Sequence, residues 1–109
     1  MKDKSEPSLN AMQEQHPEIM EAFHKLHEEA TKEGVLSAQV KELMVIAVSV
    51  ALRCERCIRF HTQTAIKMGI SKEEILEAAG VAILMAGGPA VAYTSILCEV
   101  LDEVDESST

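Results

Sequence analysis

A chain of 109 residues with 47% hydrophobic side chains is enough for one buried core. Ten Lys and Arg against eighteen Asp and Glu leave a formal net charge of -8, which argues against a nucleic-acid partner, because phosphate-backbone affinity comes from clustered bases. The aromatics are Phe23, Phe60 and Tyr93 alone, and Ala, Val, Ile, Leu and Met supply the rest of the apolar content, a composition suited to an all-α protein of closely packed helices.

Residues 1–15 are polar, contain Pro7 and show no sustained periodicity. They read as a mobile leader or irregular arm ahead of a single helical domain over 16–106, with 107–109 as a tail. The N-terminal segment lacks an apolar stretch of signal-peptide length, and the uncharged run from Gly80 up to Glu99 is broken by Gly87, Gly88 and Pro89. A cytoplasmic protein with no membrane partner is therefore expected.

A first helix is predicted from Pro17, with Ile19, Met20, Phe23, Leu26 and Ala30 on one stripe and Gly34 as its stop. On it His24 and His27 stand three apart and read as solvated or partner-contacting residues rather than metal ligands. Ser37 is placed to cap a second helix that is uncharged from Leu43 to Leu52, so it belongs in the centre of the core or in a subunit interface. A third helix runs to about Met68 and is stopped by Gly69. Ser71 and Glu74 have the spacing of a capping box for a fourth helix, which ends at Gly87-Gly88. Pro89 opens a fifth, whose acidic end (Glu99, Asp102, Glu103, Asp105, Glu106) reads as a solvated face. Cys98 shares an apolar stripe with Val91, Thr94 and Leu101 and is expected in the core. The helix count is about five, and self-association is expected because so small a chain has little interior for its uncharged second helix.

The chemistry concentrates in "RCERCIRFH", Arg53 to His61. On a helix, Cys54, Cys57 and His61 fall at i, i+3 and i+7 and share one face. Two cysteines three apart at a helix start can bridge with little backbone movement, and the unpaired amides there favour a thiolate. Which sulfur attacks is left open by the residues alone: the helix terminus favours Cys54, whereas His61, one turn beyond Cys57, favours Cys57. Arg53, Arg56 and Arg59 add positive charge, though arginines at this spacing are commonly a solvated helix edge. If the second and third helices form a hairpin turning near Arg53, Glu42 lies about 16 Å down one arm and His61 about 12 Å down the other. The two are nearly level, and a relay through water is expected as readily as a direct bond. Metal binding by Cys54, Cys57 and His61, with Glu42 or Cys98 as a fourth ligand, is the competing use, but one helix face closes a tetrahedron poorly. A non-catalytic assembly module with a degenerate site is the third.

The arrangement Glu42, eleven residues, Cys54, two residues, Cys57, three residues, His61 resembles the signature of the alkylhydroperoxidase D-like branch of the carboxymuconolactone decarboxylase family. The resemblance extends from about Phe23 to Leu101 and takes in "GISKEEILEA" and "GGPAVAY". It implies an all-helical oligomer, a trimer or hexamer, that reduces hydroperoxides or disulfides without an organic cofactor or a metal. By that analogy Cys57 is oxidised to a sulfenic acid and Cys54 resolves it into a disulfide. Glu42 and His61 move the proton of Cys57, and an external dithiol of the lipoyl type restores the pair. The family's alkylhydroperoxidases typically carry a histidine just before the second cysteine, where this chain has Arg56. The decarboxylase branch shares the fold but does not depend on a cysteine pair.

Overall fold

The computed structural model describes residues 8–107, which are helical with no strand among them. Six helices follow in order: α1 (Asn10–Gln15), α2 (Pro17–Thr31), α3 (Ala38–Ala51), α4 (Glu55–Lys67), α5 (Lys72–Ala86) and α6 (Gly88–Ser107). None of them is long and apolar enough to cross a membrane. The chain divides into two compact units, one ending at Lys32 and one beginning at Glu33.

In the first unit, Pro17 occupies the opening turn of α2, where its missing N–H removes nothing from the helix ladder. Ile19, Phe23 and Leu26 form the expected stripe, yet all three are exposed and α2 buries no residue. The sequence pattern missed α1: Asn10–Gln15 is a short helix where an irregular arm was expected. Residues 1–7 of the expected leader, and 108–109 of the tail, lie outside the described residues.

The second unit is built around α3, which packs against α4, α5 and α6. Ser37 accepts the Val40 N–H at 3.1 Å and fixes its start. Ile46 and Val50 of α3 are fully buried with Ile58 and Ala65 of α4, Ile75 of α5, and Ala90 and Leu97 of α6. The alanines of this set, with Ala79 and Ala82 of α5, let helix axes approach closely. The inner side of the uncharged helix is core, as expected, while Val40, Met44 and Val48 on the same helix are 43%, 52% and 54% exposed. Gly69 takes the left-handed conformation (φ 84°) that ends α4. Ser71 and Glu74 form the full capping box of α5, each side chain accepting from the other's backbone N–H at 3.1 Å.

One expected core residue is corrected. Cys98 is a free, exposed thiol. The face of α6 that meets the core carries Ala90, Leu97, Val100 and Leu101, and the residue after Leu97 turns about 100° away from it. Val91, which the pattern grouped with Cys98, is exposed as well.

Candidate active site

The reversal between α3 and α4 takes three residues, Leu52 to Cys54. Arg53 adopts a left-handed conformation (φ 58°), unusual for a residue with a Cβ, and its N–H donates to the Val50 carbonyl at 3.1 Å. The Cys54 N–H then donates to the Ser49 carbonyl at 3.1 Å, so the last carbonyls of α3 are capped by the turn itself. The hairpin turning near Arg53 is thus realised, and α4 packs back along α3.

Cys54 occupies the N-cap of α4 with extended backbone, where Ser, Thr or Asp is usual. Its Sγ accepts the Cys57 N–H at 3.3 Å. Cys54 and Cys57 are joined as a disulfide, their Cα atoms 5.3 Å apart, in the range a disulfide spans. Both residues are partly exposed.

One turn beyond Cys57, His61 is buried at 9% exposure, and Glu42 of α3 at 3%. Nδ1 of His61 and Oε1 of Glu42 lie 2.7 Å apart, a direct bond rather than a contact through water. With both groups buried, each is the other's means of recovering the hydrogen bonding lost on leaving water, and tight α3–α4 packing carries the carboxylate across the offset expected from helix rise alone. Nδ1–H donation to a carboxylate leaves Nε2 as the basic nitrogen of a neutral ring. Helical side chains lean toward the N-terminus, so the ring of His61 leans toward the turn that holds Cys57. The ring of Phe60 stands edge-on to that of His61, with centroids 5.0 Å apart and planes at 88°.

The three arginines differ in exposure, Arg59 being half-buried. Arg59 donates to Glu55 at 3.1 Å and to Glu99 of α6 at 3.2 Å; these partners, Glu55 first, hold its guanidinium pKa above the ordinary value. Arg53 and Arg56 are exposed at the turn and in the first turn of α4. The link to Glu99 spans forty positions and left no signal in the local sequence pattern. Cys98 sits out on α6 and His24 is exposed on α2. Among the described residues, no group of three or more His, Cys, Asp and Glu side chains is disposed to hold a metal ion.

The model of the carboxymuconolactone decarboxylase family matches residues 17–97. The chain belongs to the carboxymuconolactone decarboxylase family. A family protein from Legionella pneumophila has a similar crystal structure, with a TM-score of 0.82 and 40% identity over 87% of this chain and 85% of that one. A Thermotoga maritima member, for which an antioxidative role has been suggested, is similar over 94% of this chain and 97% of its own, with a TM-score of 0.76 and 29% identity. An uncharacterised protein of Cupriavidus necator is 36% identical over 80% of this chain and 77% of its own length.

Proposed function

We propose that this family member is a thiol-dependent oxidoreductase that reduces hydroperoxides, or exchanges disulfides, through Cys57 and Cys54. The observation that carries the reading is the pairing of the two cysteines at the start of α4 with the buried Glu42–His61 bond one turn farther along. Decarboxylation of a lactone has no use for paired thiols, whereas thiol chemistry uses each of these four groups.

In the reduced enzyme, Nε2 of His61 takes the proton of the Cys57 thiol while Glu42 stabilises the imidazolium that forms. The thiolate attacks the outer peroxide oxygen, the O–O bond breaks, and the alkoxide leaves as alcohol with the proton held on His61, leaving Cys57 as sulfenic acid. The Cys54 thiol condenses with it, the S–S bond forms and water departs. An external dithiol, of which a lipoyl group is one candidate, reduces the disulfide and becomes a disulfide itself. The assignment of attack to Cys57 follows from its place one turn before His61, while Cys54, at the N-cap, is the resolving partner. The cycle requires no organic cofactor.

The protein acts as a homo-oligomer in the cytoplasm, in the trimer-to-hexamer range of the family resemblance. The exposure of Val40, Met44 and Val48 on α3 and of Leu84 and Met85 on α5, between 43% and 80%, supports self-association. The test is dithiol-dependent consumption of an organic hydroperoxide. Turnover by the wild type that is lost in both Cys57→Ser and Cys54→Ser is expected, and turnover retained in Cys57→Ser would overturn the reading.

A further inference from the structure

All three arginines of the chain fall between Arg53 and Arg59, and the remaining seven basic residues are lysines elsewhere. They cluster about the cysteine pair of a protein whose net charge is -8, whose field repels anions at long range. Arg59 is half-buried. Arg53 immediately precedes Cys54 and Arg56 immediately precedes Cys57, and both side chains are exposed. A guanidinium offers a planar fork of donors matched to a carboxylate, a geometry lysine does not provide. Beside them Phe60, one turn from Arg56 and three residues from Cys57, leaves 55% of its surface exposed while its ring meets His61. A small neutral peroxide needs neither the arginines nor this ring.

We infer that the molecule received at the cysteine pair is an amphiphilic organic anion, its carboxylate held by Arg53 and Arg56 and its apolar body laid on Phe60. This rests on the redox reading above and names the chemical class that reading leaves open. The same chemistry has two sources: the oxidant, as a fatty-acid hydroperoxide, or the reductant, as a dithiol acid.

Binding is measured first, independently of turnover, by calorimetric titration of decanoate and of decanol into the wild type and into R53Q/R56Q. Glutamine keeps a polar, unbranched side chain without the charge and asks nothing new of the left-handed turn, and the thermal midpoint checks that the variant folds. Saturable decanoate binding that weakens about tenfold or more in the variant, with no such loss for decanol, is the expected result. Equal decanoate affinity in both proteins, or no saturable binding, overturns the inference. Kinetics then assign the source. The ratio of kcat/KM for the acid over its neutral counterpart is compared for a fatty-acid hydroperoxide against its methyl ester, and for dihydrolipoate against dihydrolipoamide. A roughly tenfold fall in either ratio in R53Q/R56Q supports the inference and names the source, and two unchanged ratios contradict it. Should neither a hydroperoxide nor a disulfide be turned over, the redox reading fails while the decanoate measurement still decides whether the anion site exists.

Discussion

At the level of single residues, a carboxylate and an imidazole buried together between two helices are the pair on which the proposed chemistry depends. Glu42 and His61 stabilise one another because each, alone, would be a polar group stripped of water. Glu42→Ala should therefore cost about 1–3 kcal/mol of unfolding free energy in urea denaturation, while Glu42→Gln, which keeps an oxygen acceptor, should cost less. Activity should order differently. Removing the base in His61→Ala should lower kcat/KM by about 10²- to 10⁴-fold, and Glu42→Gln should cost activity despite its milder effect on stability. If the two glutamate variants lost activity only in proportion to their stability, the pair would be structural. The spacing of Cys54, Cys57 and His61 made their shared face legible, because a helix converts i, i+3, i+7 into neighbours. The directness of the Glu42–His61 bond was not legible: it depends on how closely α3 and α4 pack, which no local pattern encodes.

At the level of elements, the helix ends read most plainly. Ser71, Glu74 and Gly69 announce themselves because caps and left-handed stops demand particular side chains. Ser71→Ala should lower stability by about 1 kcal/mol. The Glu74 carboxyl, accepting from the Ser71 backbone N–H, is held below its ordinary value of 4.5. A depressed carboxyl contributes stability that is present above its unfolded value and lost as pH falls through its folded one. The gap in thermal midpoint between wild type and Glu74→Ala should thus be open at neutral pH and close progressively below about pH 4.5; a gap independent of pH would contradict the charged cap. The turn near Arg53 was expected, but its left-handed backbone escaped prediction because the residue that adopts it is not glycine. Arg53→Gly relieves about 1–2 kcal/mol of backbone strain, offset in part by the larger chain entropy of glycine, and should raise the thermal midpoint. The register of α6 escaped as well: Cys98 looked apolar and small enough for the core, and only the contacts made by Leu97, Val100 and Leu101 decide which side of the helix faces inward.

For the molecule as a whole, composition pointed to helices because Ala, Val, Ile and Leu without aromatic bulk favour close axes, and α3 through α6 pack in that way. The uncharged second helix raised two destinations at once, core or interface, and sequence alone had no means of dividing them. The structure separates the two sides: Ile46 and Val50 go inward, while Val40, Met44 and Val48 stay exposed, the face to which self-association is proposed. Introducing charge there, as Met44→Glu with Val48→Glu, should shift sedimentation from an oligomer to the monomer, and a wild type that sediments as a monomer at micromolar concentration would rule out self-association through this face.

The most direct measurement is mass spectrometry of alkylated peptides from the reduced protein after one equivalent of an organic hydroperoxide. A Cys54–Cys57 disulfide should form with Cys98 still alkylated, and in Cys54→Ser the sulfenic acid should appear on Cys57. Cys54 and Cys57 that both remain open to alkylation, or oxidation that settles first on Cys98, would contradict a redox role for the pair.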